Sequence, residues 1–252
     1  MNQIKKLIFN NVIPTIGRVL VCKNKYVNVI YYHDIVRDNG YSYMRTNVDV
    51  FKRQMEYILS QGFETLRFDD LDGPQKMSFK KKRILIAFDD GWRSNFTEIF
   101  DFMKSNGLRY NIFLAIGRID NDLNNLTWDM VRQMHQSGIC GFGTHTYNHV
   151  DASHLTGQSF VEEISRADEV FEKELGFAPK DFCFPYGKYS EESLVELENK
   201  SGYERLYTSN MMYSYIQNGK IVMGRNGISN DDSIITFKNK LNGYFNVYKS
   251  LI

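Results

Sequence analysis

Ile84–Gly91 reads ILIAFDDG, an apolar run that ends in two adjacent carboxylates and a glycine. The run Ile84–Phe88 is β-branched and aromatic, the composition of a buried strand. Asp89 and Asp90 are costly beside an apolar core unless something compensates their charge. A bound cation is the simplest compensation, and HTYNH at His145–His149 can supply the remaining ligands. One carboxylate and two imidazoles make a three-ligand site that leaves a position open for water, the pattern of catalytic zinc. Zinc is the first choice of a single divalent metal, although nitrogen and oxygen donors also admit cobalt, nickel or manganese. Thr146, not Glu, follows His145, so this is not the HExxH arrangement that carries its own base. The second aspartate of the pair is available as that base.

Simpler roles compete with each of these. A lone HxxxH arises often by chance. Asp89-Asp90 could cap a helix opening at Ser94, but the long apolar strand before the pair and Gly91 after it favour chemistry. FDDLDG at Phe68–Gly73 repeats the adjacent aspartates after only a short strand, and Asp69 and Asp70 read as helix N-caps. His33 follows YVNVIYY, another strand end. It can serve as a general acid, or simply bond a backbone carbonyl. His135 in a helix and His154 in a polar loop read as structural.

These residues need a scaffold, and the pattern alternates along the whole chain. Strands are expected at 26–32, 65–68, 83–88, 110–115, 139–144, 181–184, 205–208 and 220–223. Helices are expected at 48–61, 95–105, 127–136, within 157–175 (Glu162, Glu163 and Glu169 outward), at 191–200 and at 231–246. Such alternation means a parallel α/β fold, and about seven units without a glycine-rich phosphate loop favour a barrel over a dinucleotide-binding sheet. Barrels place chemistry at the carboxyl ends of their strands. His33-Asp34, Asp89-Asp90, His145 with His149, and Pro185-Tyr186-Gly187 all fall at such ends.

The 252 residues carry a net charge of +1, which gives no support to nucleic-acid binding. Apolar residues make up 42%, enough for a sizeable core. The lysine run 80–82 reads as a solvated turn. Cys22, Cys140 and Cys183 form no close pair, so no disulfide framework is expected; Cys140 and Cys183 read as small core residues. The tyrosine surplus suits a sugar cleft as well as a core. Residues 1–24 read as a helical segment ahead of a single domain at 25–252. The segment is too short and polar to span a bilayer and lacks a secretory pattern. It is expected to dock on its own domain or touch a membrane surface peripherally, in a cytoplasmic or membrane-peripheral protein.

AFDDG, then HTYNH, then FPYG at Phe184–Gly187 resembles the polysaccharide deacetylases of carbohydrate esterase family 4, the NodB-homology group. The likeness runs from about Val29 to about Ile228. It implies a distorted (β/α)7 barrel, with parallel strands and outer helices, that removes acetyl groups from N-acetylated sugars with a metal. By motif, Asp89 looks like the catalytic base, and Asp90, His145 and His149 like the metal ligands. Tyr186, after Pro185, looks like the residue whose backbone N–H helps hold the oxyanion. Two departures stand out. Phe182-Cys183-Phe184 lacks the arginine that orients the base in many members; Arg225 in GRNGI could stand in from a later strand end or form an ordinary salt bridge. No histidine follows His154, whereas the usual acid histidine comes late. The permuted poly-N-acetylglucosamine deacetylase-like subgroup takes it from an early YH, which Tyr32-His33 matches. The implied partner is an N-acetylated surface glycan or its precursor. A non-sugar amide, a cyclic imide, or sugar binding without turnover are the alternatives.

Overall fold

The computed structural model describes residues 8–20, 26–38, 42, 44–71, 82–155, 157–199 and 202–251. The expectations for Cys22, for Lys80 and Lys81, for Asp72 and Gly73, and for segments 1–7 and 21–24 lie outside the described residues.

β1 (Asn28–Tyr32), β5 (Arg83–Phe88), β6 (Tyr110–Leu114), β7 (Cys140–Thr144), β8 (Asp181–Cys183) and β9 (Arg205–Tyr207) form a continuous parallel sheet. Their runs are hydrophobic on both faces because outer helices cover one side and the barrel interior the other. β4 (Glu64–Leu66) pairs with the first half of β5, and β6 takes over the same edge further on. Asn111 of β6 seals that junction by donating to Leu66 O and Ile86 O and accepting from Phe68 N.

The last strand is broken. β11 (Lys220–Met223) lies parallel to β9, and β12 (Asn226–Gly227) lies parallel to β1. Gly224-Arg225 joins them, so one stretch of chain touches both edges and closes seven strand positions, the distorted (β/α)7 barrel. A side chain at Gly224 would meet Met212 O at 2.1 Å, so the crossing needs glycine. At the opposite end of the barrel, Arg205 donates to both oxygens of buried Asp181 at 2.6 and 2.8 Å.

Several local expectations are corrected. The helix expected at 95–105 is two short ones, Ser94–Thr97 and Phe100–Ser105, interrupted at Glu98-Ile99. The closing helix is only Ile234–Leu241, started by the Ser233 side chain. Two small pairings were not anticipated: β2 (Asp34–Val36) with β3 (Arg45–Asn47), and β10 (Tyr215–Gln217) antiparallel to β11. Asp69 and Asp70 are not N-caps. They sit inside a 3-10 turn, Phe68–Asp70, where Asp70 Oδ2 accepts from Arg67 N at 2.7 Å. Helix Ile13–Leu20 buries Ile13 against Phe245 and Val247. No helix among the described residues is long and apolar enough to cross a membrane.

Candidate active site

The end of β5 is tied to β1 by Asp89 N donating to Tyr32 O at 3.0 Å. The chain then turns through Asp90 (φ 76°) and Gly91 (φ 78°). Thr146, His149 and Tyr186 also have positive φ. Non-glycine residues in this region cost about 1 kcal/mol or more each, and their clustering at strand ends marks a site held by its surroundings. The aspartate pair caps no helix. Arg93 precedes Ser94–Thr97, and no side chain caps it.

His145 stands at the end of β7. Its Nδ1 lies 2.7 Å from Cys183 O. A carbonyl only accepts, so Nδ1 carries the proton and the Nε2 lone pair faces the site. Burial, only partly offset by Asp89, lowers its pKa to about 4 and keeps the ring neutral. His149 follows on a turn that Glu163 fixes by accepting from Asn148 N at 2.9 Å. The spacing of Glu163 predicts only an outward position, and the fold adds its tie to this turn.

Asp90 Oδ1 lies 2.9 Å from His149 Nε2 and 3.7 Å from His145 Nε2. It is buried and has no hydrogen-bond donor among the described residues. Two ligands about 2.1 Å from one tetrahedral ion would stand roughly 3.4 Å apart, so the spacing suits a shared cation. Burial alone would raise the Asp90 pKa, but His149 and His145 hold it well below the usual range. The donor set therefore fits one divalent metal.

Asp89 lies beside this group and lines the same cavity. Arg225 Nη1 and Nη2 donate to its two oxygens at 2.7 and 2.8 Å. The guanidinium also donates to Thr208 O and lies 4.1 Å from the Tyr31 ring centroid. Cys183, expected only as core, is buried and sits 3.0 Å from Arg225 Nη2. Asp89, His145 and Cys183 are close enough to form a second ligand set, but the guanidinium already supplies the positive charge there. Burial would raise the Asp89 pKa; Arg225 overcomes this and leaves it lowered.

His33 Nε2 is 3.9 Å from Asp89 Oδ2. Burial lowers its pKa, and the two aspartates offset this only in part. Tyr186 tops a 3-10 turn, Pro185–Gly187; the residue is 60% exposed and its ring lies edge-on to His149 at 4.8 Å. A cavity of about 280 Å³ is lined by His33, Asp89, His145, His149, Tyr186 and Arg225, among others. Pro185 is buried and does not line it. A larger cavity, about 580 Å³, opens by Asp181 and Arg205 at the far end of the strands and holds none of these groups.

A parallel barrel whose strand ends bring together two imidazoles and a carboxylate, with a second carboxylate alongside, has the donor arrangement that metal-assisted hydrolysis would use. The polysaccharide deacetylase family model matches residues 76–206, just over half of the sequence, and the chain belongs to that family. It is 28% identical over 178 residues to YxkH of Bacillus subtilis, assigned to the polysaccharide deacetylases, covering 70% of this chain and 62% of that protein. It is 25% identical over 173 residues to a peptidoglycan-N-acetylglucosamine deacetylase of Bacillus cereus, covering 66% of this chain and 58% of that one. The chain thus spans about three fifths of the length of these relatives. The fold is similar to that of the Streptococcus pyogenes deacetylase PplD in complex with acetate, with a TM-score of 0.77 at 19% identity, covering 86% of this chain and 99% of that one. His33 and Arg225 lie outside the matched family segment, so the fold alone brings them to the site.

Proposed function

We propose that this protein hydrolyses the acetamide of N-acetylated amino sugars in a glycan or its precursor. The carrying observation is that Asp90, His145 and His149 each offer a ligand atom within 4.8 Å of the others, with Asp89 clamped beside them. The Bacillus cereus relative is named for N-acetylglucosamine in peptidoglycan, which supports the substrate class. Asp90, His145 and His149 would hold one divalent cation, and their oxygen and nitrogen donors favour zinc. When bound, the cation supplies Lewis-acid polarisation of the acetamide carbonyl and acidifies a water.

Asp89 accepts a proton from the water whose oxygen adds to the carbonyl carbon. Arg225 keeps Asp89 ionised and aimed. The Tyr186 backbone N–H is assigned to the developing oxyanion, where one good donor is worth about 3–4 kcal/mol. His33 delivers a proton to the sugar nitrogen as the carbon–nitrogen bond breaks, and acetate and a free amine leave. Burial disfavours the His33 imidazolium, so a proton taken up there is readily given to that amine. Ile8, Val12 and Val19 are exposed along the N-terminal helical segment and support a peripheral membrane contact, which vesicle flotation tests.

The test of function is acetate release from N-acetylglucosamine oligomers by zinc-loaded protein, with and without chelator. Chelator-sensitive release is the expected result. Turnover of simple amides or cyclic imides but not sugars would move the assignment to another substrate, and oligomer binding without release would make the barrel a binding module.

A further inference from the structure

Asp90 has two oxygens in unlike surroundings. Oδ1 faces the histidines and has no donor. Oδ2 accepts from Trp92 Nε1 at 3.1 Å, and Arg118 Nη1 lies 3.7 Å away. We propose that Trp92, by donating to Oδ2, and Arg118, by its positive charge beside it, are positioning residues that make Asp90 a one-oxygen metal ligand. This rests on the metal-site reading above.

The backbone at both residues is held independently of the carboxylate. Trp92 forms an antiparallel bridge with Asn125, and on either side of it Leu126 N donates to Gly91 O at 2.9 Å and Arg93 N to Asn124 O at 2.7 Å. Arg118 ends the 3-10 turn Ile116–Arg118 after β6. There Ile116 N and Gly117 N donate to Thr146 O and Tyr147 O at 3.2 and 2.8 Å, inside the HTYNH segment. The ends of β5, β6 and β7 therefore meet on one carboxylate.

The chemical consequence concerns coordination number. A carboxylate with both oxygens free can chelate a cation through both, which fills a position that water or substrate needs. An N–H on Oδ2 removes that option and fixes the plane of the carboxylate. Hydrogen-bond partners of metal ligands typically contribute 10–100-fold in affinity.

The test uses the full chain loaded with cobalt, whose visible absorption weakens as coordination rises from four to five or six. Wild type should bind one cobalt per chain; failure to do so would sink the metal-site reading rather than the clamp. Trp92→Phe should bind cobalt roughly 10–100-fold more weakly, with a weaker visible band. Arg118→Met should shift both readouts in the same direction, and Arg118→Lys should restore them. Far-UV circular dichroism of the metal-free variants reports folding; if Trp92→Phe fails to fold, the Arg118 pair carries the test. Wild-type affinity and spectrum in folded Trp92→Phe, or in Arg118→Met where only that variant folds, would overturn the proposal.

Discussion

A carboxylate buried at a core edge normally gains a proton, yet Asp89 must lose one to act as a base. Arg225 resolves this by donating to both oxygens in a fork that no lysine reproduces. Asp89→Asn should lower acetate release by at least about 10²-fold, the usual range for general base loss, while metal content stays at the wild-type level. Near-wild-type turnover in that variant would remove Asp89 as the base. Arg225→Met leaves a buried carboxylate unpaired, so its pKa should rise. The acid limb of the kcat/KM profile then moves to higher pH, and activity lost at neutral pH partly returns in alkali. Arg225→Lys should fall between, since it keeps the charge and loses the fork. An unmoved acid limb in Arg225→Met would show that the arginine only packs. His33→Gln should keep metal affinity and lose about 10²–10⁴-fold in kcat, read by paired binding and turnover assays.

Turns rather than strands carry the precision of this site. Gly187 has φ 65°, and a Cβ there would meet Ser209 Oγ at 1.9 Å and Ser209 N at 2.4 Å. The second contact is backbone, so Gly187→Ala must displace the turn that presents Tyr186. The expected result is a sharp loss of kcat with a lowered melting temperature, whereas Gly219→Ala, also at positive φ but with open space around it, should mainly affect stability. Equal kcat in the two variants would remove the Tyr186 turn from catalysis. The barrel strands were legible because buried parallel strands leave continuous apolar runs, and Arg83–Phe88 appears with the expected bounds. The Asp89-Asp90 and HTYNH clusters were legible as candidates because they stand at strand ends. Trp92, Arg118 and Glu163 were not, because each acts through a partner that only the folded loops bring close. The break at Glu98-Ile99 was hidden for a similar reason: buried Ile99 and the residues after it keep an apolar pattern that reads as one helix.

At the scale of the whole molecule, a neutral buried histidine couples protons to folding. Burial takes the His145 pKa from the ordinary 6.5 to about 4, and His33 shifts in the same direction. Between these values the unfolded chain binds a proton at His145 and the folded chain does not. Stability of the metal-free protein therefore falls as pH drops from about 6.5 toward 4, by about 3 kcal/mol for this one group. The carboxylates add their own loss only at lower pH, because Asp89 and Asp90 are held below the usual range. A cation that binds only the folded state should oppose this loss at neutral pH, adding about 2.7 kcal/mol when its concentration is a hundred times Kd. Its effect should fade as protons compete for the imidazoles. Urea unfolding at pH 7, 6 and 5, with and without zinc, measures both terms. His145→Asn should flatten the metal-free slope and abolish most of the zinc-dependent gain. Equal metal-free stability at pH 7 and pH 5 in the wild type would mean that His145 is not the buried neutral ring that the barrel requires.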